Sequence, residues 1–497
     1  MTAARQNKRR VDESTHLLLS DTETEFQSIP PPFGESIPRK WPIQDELQQM
    51  TLLAIPVVGT YLLEIIPGVV SILLVGNLQE ENAADYMAAT GLAVSFTNLF
   101  GISIGLGLAS AMDTLCSQAY GAKETRRMGI YLQTGMIVLG ITSLLLYPVF
   151  RNGATMLIAG LDQPVALSQL AGSFIRCSFP GIPFFFLYEL LRKVLQAKNC
   201  AIPMVFVAVG ANVINAGLGY YLVHHTSWGW LGAAVARTVS YVSFSALLIP
   251  YIVWSGHHRD FWTGIELDKA WTGVGQFLQL GLPGMLQVCS ESWAFQCAAF
   301  FCGMLPNAVV DIGANAVIYN IASVAFMFYF GISIASNVRI GNALGANDVG
   351  RAKVAAGVSL ALVLCAALAL AAGLLLGRNI FPRLFTKDHD ISELSATLIV
   401  VAAFFQLPDA MNAALQGIFR GSGRQSLGAN LNFFAFYVVG LPLGVVLSFG
   451  LHMDVVGLWI GLSGGLLVIA IVGTILVAHS DWNACAEEAQ NRLYSSP

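Results

Sequence analysis

Charged residues are scarce in this chain of 497 residues. Asp, Glu, Lys and Arg together make up 11% of the sequence, whereas the hydrophobic residues AVILMFWYC make up 55%. Charged residues contribute roughly a quarter of an ordinary soluble domain. A chain with so few charges lacks the polar surface that such a domain presents to water. The composition therefore excludes an ordinary soluble fold and indicates a membrane protein.

Several motifs of known chemistry are also missing. The sequence contains no GxxxxGK[ST] phosphate-binding loop, no HExxH, and no GxSxG elbow accompanied by its catalytic partners. Its eight cysteines include no CxxC pair. These absences argue against ATP hydrolysis and against metal-dependent or nucleophilic catalysis, and they indicate neither a disulfide framework nor a zinc site. We therefore expect no enzyme activity and no cofactor.

Long apolar stretches recur along the chain after residue 45. Each is long enough to cross about 30 Å of hydrocarbon as a helix, which takes about 20 residues. The short alternating segments that a closed β-barrel needs are not evident. The sequence predicts an all-α membrane protein with twelve transmembrane helices, near residues 47–75, 86–116, 128–150, 165–190, 202–223, 229–254, 272–304, 312–338, 353–377, 392–417, 427–450 and 454–478.

Short stretches of sequence recur in the two halves of the chain. FGISI occupies residues 100–104 and 330–334, and each copy leads into a related polar turn, QAYGAKETRR and NALGANDVGR. A Pro followed eight positions later by a Glu, and the tripeptide GAN, recur in the same order, at offsets of 218 to 230. This pattern predicts an internal duplication into two six-helix lobes, residues 46–254 and 272–480, related by an axis along the membrane normal.

Lys and Arg are distributed unequally between the two predicted membrane faces. With the N-terminus inside, twenty fall on the inner side, and only Arg151, Arg378, Arg383 and Lys387 fall on the outer side. By the positive-inside rule, we expect both termini in the cytosol. The same topology makes residues 255–271 a cytosolic linker and residues 481–497 a short cytosolic tail.

Residues 1–45 are rich in charge, Ser, Thr and Pro. We expect them to form a disordered cytosolic tail. Within them, Glu13 precedes the pair Leu17-Leu18 in a pattern similar to the acidic dileucine signals that route proteins to vacuoles or lysosomes. Because that pattern is short, both a vacuolar and a plasma-membrane location stay open.

Two acidic residues lie well inside predicted membrane helices. Glu291 is flanked by apolar residues in the seventh segment, and Asp409 follows Pro408, which we expect to kink the tenth. Insertion of an ionised side chain at mid-membrane costs roughly 2.5–3.5 kcal/mol, so we expect each of these two acids to have a function or a stabilising partner. Desolvation favours the neutral form of a carboxyl group, and two close acids can hold a proton or a cationic ligand. We predict such a shared site; the alternative is structural hydrogen bonding between helices.

Other polar residues are candidates for a cavity lining. Gln287 precedes Glu291 by four positions and shares its helical face. Tyr319 and Asn320 are polar positions among apolar neighbours on the eighth predicted helix. Glu64 shares the Pro-to-Glu spacing of Glu291, and it either lines the N-terminal lobe or has a structural role.

Other charged residues lie inside or near the predicted membrane helices. We expect Asp113, Glu189 and Arg237 to pair with nearby residues or to lie near helix ends. Arg176 is a candidate counter-ion for a buried carboxylate.

Four segments carry specific motifs. They are PGVVSILLVGNL (67–78), SAMDTLCSQAYGA (110–122), FGISIASNVRIGNALGAN (330–347) and LQGIFRGSGRQSLGANLNFFAFYVVGLPLG (415–444). These segments resemble those of the multidrug and toxic compound extrusion (MATE) family, eukaryotic type. The second is similar to the family pattern SALETLCGQAYGA, and the last to LQGVLRGSGRQ. The resemblance covers about residues 45–480.

The resemblance implies two six-helix lobes around a central cavity and alternating access by rocking of the lobes. It also implies efflux of diverse, often cationic, organic compounds in exchange for H⁺ or Na⁺. By position, Glu291 and Asp409 match acids of the family's seventh and tenth helices, and Asn320 matches a polar position of its eighth. This chain departs from the family at Gln296, where some animal members have a second Glu, and at Glu64, where Gln is usual.

The sequence therefore predicts a proton-coupled antiporter that exports organic solutes from the cytosol, outward or into an acidic vacuole. A Na⁺-coupled exporter stays open. A passive facilitator would need no buried acids, and a lipid-type flippase would need a strongly basic cavity. The expected partners are small organic substrates, H⁺ or Na⁺, and the bilayer, with no nucleic acid. No oligomeric state is indicated.

Overall fold

The computed structural model describes residues 43–78, 82–161 and 163–494. Within these ranges every regular element is a helix, which confirms the all-α prediction. The principal helices, in chain order, are α1 Ile43–Gly76, α2 Ala83–Gly121, α3 Thr125–Arg151, α4 Val165–Ala197, α5 Ile202–His225, α6 Leu231–Trp254, α7 Val274–Cys302, α8 Ala308–Gly345, α9 Val349–Leu376, α10 His389–Ser422, α11 Gln425–Gly450, α12 Asp454–Ala478 and α13 Trp482–Tyr494.

The helices α1 to α12 each overlap one of the twelve predicted apolar segments. In the described part of the chain, eleven of them are long and apolar enough to cross a membrane, and α7 is not among these. The helix α7 is 29 residues long, but it carries Glu291 and four glutamines, which lower its hydropathy. The multi-pass membrane assignment is confirmed, and the count of twelve spans stays a prediction.

Several helices are irregular within the membrane region. The helix α2 contains a π-helical turn at Asn98–Ile102, and α4 contains a 3₁₀ turn at Phe179–Gly181, where Pro180 lacks an N–H donor. The helix α11 contains two π-helical turns, Phe434–Gly440 and Val446–Gly450. By contrast, α10 continues through Pro408, so any kink there lies within one unbroken helix.

The structure describes two of the three predicted polar segments, and both contain helices. Residues 1–42, with the dileucine pattern, lie outside the described ranges, and α1 already begins at Ile43. The linker at 255–271 contains two short helices, His258–Phe261 and Leu267–Thr272. The segment predicted as a short tail, 481–497, contains the helix α13.

The linker is held against α3 by polar contacts. Glu266 accepts hydrogen bonds from Lys269 Nζ at 2.6 Å and from Arg126 Nη2 at 2.8 Å. Together with Thr263, these donors lower the pKa of Glu266 to about 2. Gln133 of α3 donates to the Gly264 carbonyl oxygen at 2.9 Å. Because Glu266 stays ionised throughout the physiological pH range, the linker contact does not depend on pH there.

The two predicted lobes contact each other through glycines. A Cβ atom at Gly107 of α2 would lie 2.3 Å from Met285 Cα in α7. A Cβ at Gly331 of α8 would lie 2.3 Å from Val58 Cγ2 in α1. Gly331 comes 224 positions after Gly107, and Met285 comes 227 positions after Val58. The contact of α2 with α7 therefore corresponds to the contact of α8 with α1 under the predicted duplication.

At the ends of α2 and α8, the repeated turn motifs meet each other. A Cβ at Gly121 would lie 2.0 Å from the Asn342 carbonyl oxygen, and a Cβ at Gly345 would lie 2.0 Å from the Gln118 carbonyl oxygen. Asn342 and Gly345 come 224 positions after Gln118 and Gly121. The two halves thus exchange the same contact in both directions, which supports a pseudo-twofold axis between α2 and α8.

We expect Gly345→Ala to weaken this junction, because the new methyl group would overlap the backbone of α2 and force the helices apart. Overpacking of this kind typically costs about 1–3 kcal/mol. Thermal unfolding of the purified protein should show a clear loss of stability. The matched control is Gly357→Ala, since Gly357 is a helical glycine with open space around its Cβ position. Equal melting temperatures for the two variants would contradict the close contact of α2 and α8.

Candidate functional site

Glu291 on α7 is hydrogen-bonded to α10. The Gln416 side-chain amide donates to Glu291 Oε2 at 2.8 Å and to Asn412 Oδ1 at 3.3 Å. Gln416 Oε1 in turn accepts from Arg420 Nη2 at 3.2 Å. Asn412, Gln416 and Arg420 are buried and follow one another at intervals of four residues on one face of α10. A guanidinium group therefore acts on Glu291 through one intervening amide.

Asp409 lies on the same face of α10, three residues before Asn412. Its exposure is only 3%. Glu291 is the charged group that interacts with it, and within the described residues no hydrogen bond or ion pair holds the Asp409 carboxyl. The structure therefore brings the two predicted acids, Glu291 and Asp409, into one cluster inside the C-terminal lobe.

Gln287 lies one turn before Glu291 and belongs to the same polar interior. Its side chain is 1% exposed, and neither its amide oxygen nor its amide nitrogen has a hydrogen-bond partner among the described residues. Unpaired carboxamide nitrogens are also buried at Gln406 and Asn432. Since buried polar groups are nearly always paired in folded proteins, the unpaired Gln287 amide is a candidate contact for a bound molecule.

Tyr319 and Asn320, the other predicted lining residues, differ from each other. The Tyr319 ring lies 5.9 Å from the ring of Phe295, and the residue interacts electrostatically with Glu291. Asn320 is exposed, and its amide donates to the Ala316 carbonyl of its own helix at 2.8 Å. The structure thus connects Tyr319 with the Glu291 cluster and gives Asn320 no contact to it, and a lining role for Asn320 stays a prediction.

Three functional candidates were missed by the sequence reasoning. Asn412, Gln416 and Arg420 contact or support Glu291, and they continue the face that begins at Asp409. Their spacing of three, seven and eleven residues after Asp409 places them on one side of a helix. That periodicity was available in the sequence and could have identified them.

Glu64 belongs to a buried ion network in the N-terminal lobe. Arg192 Nη1 of α4 lies 2.5 Å from Glu64 Oε1, and the Tyr188 hydroxyl donates to the same oxygen at 2.8 Å. Arg192 also pairs with Glu189 and donates to the Tyr61 hydroxyl at 2.9 Å. Arg192 and Glu189 are fully buried. The Glu64 carboxylate is therefore matched by a base of its own lobe and lies apart from the Glu291 cluster.

A second buried ion pair adjoins this network. Lys193 Nζ lies 2.8 Å from Asp113 Oδ1, and both residues are buried. Arg237 donates to the Tyr241 hydroxyl at 2.9 Å, one turn along α6. Asp113 therefore pairs with a residue of another helix and not locally. The predicted local pairing is confirmed for Glu189, which pairs with Arg192 three positions later, and Arg237 has a local tyrosine partner.

The two lobes are also joined by an ion pair at the end where α2 meets α8. Glu46, at the start of α1, accepts from Arg339 of α8 through both carboxylate oxygens, each at 2.6 Å. Arg351 Nε lies 3.5 Å from Glu46 Oε2. Glu46 is 2% exposed, so water screens this bidentate pair little. We call this end of the bundle the closed end.

The helix α13 lies across the closed end and contacts both lobes. Arg492 Nη1 donates to Gln118 Oε1 of α2 at 3.2 Å. On the other lobe, Gln490 donates to the Gly345 carbonyl at 2.8 Å, and Gln276 of α7 donates to the Arg492 carbonyl at 3.1 Å. The segment predicted as a plain tail is therefore an additional connection between the lobes.

Comparison with known proteins assigns the family. The MatE family model matches residues 56–221 and 283–446 of this chain. The chain belongs to the MatE family. A single family model that matches both halves, in the same order as the repeated motifs, is what an internal duplication would produce. The predicted resemblance to MATE transporters is confirmed, and MATE members are transporters, not enzymes.

Curated MATE proteins of vertebrates are similar along most of the chain. Multidrug and toxin extrusion protein 2 of Mus musculus is 35% identical over 455 residues, which cover 90% of this chain and 77% of the mouse protein. Multidrug and toxin extrusion protein 1 of Danio rerio is 34% identical over 448 residues, covering 89% of this chain and 74% of the fish protein. The shared region thus includes the helices that carry the Glu291 cluster.

Solved MATE structures have the same fold. The eukaryotic MATE transporter AtDTX14 superposes with a TM-score of 0.86 at 29% identity, covering 91% of this chain and 99% of that one. The Vibrio cholerae MATE transporter VcmN, in its bent form, superposes with a TM-score of 0.74 at 15% identity, covering 90% of this chain and 98% of that one. The second likeness shows the fold alone.

We expect Glu64→Gln to destabilise this MATE chain, because the change removes a charge that faces the buried Arg192. A hydrogen bond to a charged group contributes about 1.5–3 kcal/mol, so the melting temperature should fall by several degrees. Glu393→Gln is the matched control, since the Glu393 side chain on α10 is 76% exposed. If Glu64→Gln melted like the wild type, the N-terminal ion network would not be a structural element.

Proposed function

We propose that this protein is a secondary active antiporter that exports organic, often cationic, compounds from the cytosol in exchange for protons. The observation that carries the proposal is the buried Asp409 carboxyl, which forms no hydrogen bond or ion pair within the described residues and interacts electrostatically with Glu291. Membership of a family of multidrug and toxin extrusion transporters supports the same function.

Coupling follows from the cost of burying an unpaired charge. A carboxylate that is withdrawn from water and has no base beside it is stable only when it binds a proton or a cation. Glu291 and Asp409 therefore exchange one for the other: a proton displaces the substrate, and a substrate displaces the proton. Gln287, Tyr319 and Gln416 provide polar and aromatic contacts for a bound organic molecule, and Arg420 acts on Glu291 through Gln416.

Alternating access requires the lobes to separate at one end while they close at the other. The positive-inside orientation places the closed end, with Glu46 and the junction of α2 and α8, on the cytosolic side. In this proposal both termini are cytosolic, and the described conformation is the one that faces outward. Opening toward the cytosol then requires the Glu46–Arg339 ion pair and the contacts of α13 to separate.

Other coupling ions and other transport mechanisms are outcomes of the test described below. A Na⁺-coupled exporter would use the same carboxyls, and a passive facilitator would use neither as a proton carrier. A flippase for lipid-like substrates would need a basic centre, whereas the Glu291 cluster contains two acids and one arginine that does not contact them directly. Plasma membrane and vacuolar membrane both fit export from the cytosol.

The test is transport by purified protein in liposomes with an acidic interior. We expect a fluorescent organic cation to accumulate uphill without Na⁺ and to leak out when a proton ionophore is added. In Glu291→Gln and Asp409→Asn, the accumulation should fall to the level of empty liposomes, because neither variant can exchange a proton for the substrate. The Glu64→Gln variant, reconstituted at the same amount of folded protein, is the control and should keep its proton coupling.

Three results would contradict the proposal. Uphill transport retained in both neutral variants would show that Glu291 and Asp409 do not couple transport to protons. Accumulation that requires Na⁺ would show that Na⁺, and not H⁺, is the coupling ion. Movement of the cation to equilibrium only, insensitive to the pH gradient, would make the protein a facilitator.

A further inference from the structure

A cavity of about 500 Å³ lies between α3 and α4, away from the Glu291 cluster. It is at the end of α3 that is opposite to the closed end of the bundle. Among the residues that the structure describes, its wall combines aromatic rings with two arginines and contains no acidic side chain. The residues that line it are Tyr147, Phe150, Arg151, Asn152, Arg176, Phe179 and Pro180.

Neither arginine of this cavity is paired with an acid in the described part of the chain. Arg151 Nη1 donates to the Tyr147 hydroxyl at 3.3 Å, and Arg176 Nη2 donates to Ser173 Oγ at 3.2 Å. A guanidinium group has five N–H donors. Most of the donors of both groups are therefore available to a ligand, and the net charge of the cavity wall is positive.

A position at a helix end explains the presence of Arg151 but not that of Arg176. Arg151 is in the last turn of α3, where a cation favourably meets the helix dipole, an effect of about 0.3–1 kcal/mol. Arg176 lies within α4, which continues through the turn at Phe179–Gly181. No free helix terminus accounts for a second cation on the same cavity.

An apolar face of α3 leads up to the cavity. Leu144 and Tyr147 precede Arg151 by seven and four positions, and their exposures are 75% and 48%. Residues at this spacing lie on one side of a helix. Because α3 is a membrane helix, hydrocarbon chains cover this exposed face, and Tyr147 has the amphipathic character that suits a membrane interface. A positively charged cavity at the end of an apolar helix face matches an amphiphile, whose charged head group and hydrocarbon chain lie side by side.

We propose that this cavity binds the phosphate of a membrane phospholipid, with Arg151 and Arg176 on the phosphate and an acyl chain along Leu144 and Tyr147. Planar guanidinium groups bind phosphate oxygens through paired hydrogen bonds. The site is independent of the transport cluster, and it anchors the α3–α4 pair of the N-terminal lobe in one leaflet.

The test measures lipid retention and thermal stability of the full-length protein. Delipidated protein in detergent is titrated with phosphatidylglycerol and examined by native mass spectrometry and thermal unfolding. We expect bound lipid and a rise in melting temperature. Diacylglycerol with the same chains, which lacks the phosphate, should bind at least five-fold more weakly. Inorganic phosphate alone should not stabilise the protein at concentrations matching the lipid.

The variant that tests the site is Arg151→Gln with Arg176→Gln, which should reduce phosphatidylglycerol binding at least five-fold. Arg378→Gln with Arg383→Gln is the matched control, since these are exposed arginines outside the cavity wall. Arg176→Lys, which keeps the charge but removes the planar fork, should give an intermediate loss and also covers the case in which the double variant fails to fold.

Several results would overturn the proposal. Equal lipid binding by the wild type and the double variant would show that Arg151 and Arg176 do not bind the lipid. Equal stabilisation by diacylglycerol would show that only the apolar face matters. Stabilisation by inorganic phosphate as strong as that by the lipid would assign the cavity to a soluble anion.

Discussion

The fold depends on the junction where the ends of α2 and α8 pack against each other. Gly121 and Gly345 each allow the backbone of the opposite helix to approach, and Ser117 packs on Gly341, 224 positions later, between them. A contact in which a segment meets its own repeat lies close to the pseudo-twofold axis. Glu46 with Arg339, and the helix α13, are added around this junction. All of these contacts must separate together if the lobes are to open at this end.

On this nearly symmetric frame, the buried charges are arranged asymmetrically. In the N-terminal lobe, Glu64 and Glu189 share Arg192, and Asp113 pairs with Lys193. Paired charges of this kind fix helices in place and leave little capacity to bind another ion. In the C-terminal lobe, Glu291 accepts a hydrogen bond from the Gln416 amide, and no hydrogen bond or ion pair holds the Asp409 carboxyl within the described residues. An exchangeable ligand belongs where charge is not already neutralised, which is why the proposed mechanism uses only the C-terminal lobe.

Local sequence features were sufficient for the helices and for the two acids. A carboxyl such as Asp409 is conspicuous in an apolar segment because its burial is costly, and the spacing of apolar runs depends only on neighbouring residues. The partners of Glu64 and Glu291 were not predictable in this way. Arg192 is 128 positions from Glu64, and Gln416 is 125 positions from Glu291. Such pairs depend on how helices pack. The helix α13 was missed because it is short and polar on one side, and it is ordered by tertiary contacts with both lobes.

The proposed transport cycle requires the lobes to separate and rejoin at the closed end. Lys123 and Asn347 occupy corresponding exposed turn positions, 224 residues apart, beside the junction of α2 and α8. Spin labels at these two positions, in a background in which Cys177, Cys200, Cys297 and Cys365 are replaced by Ser because they are exposed or only partly buried, allow the distance between the lobes to be measured by pulsed electron resonance in liposomes. We expect a short distance at acidic pH, and a second, longer distance when substrate is added at neutral pH. A single distance distribution, unchanged under conditions in which the same protein transports, would contradict the proposed cycle.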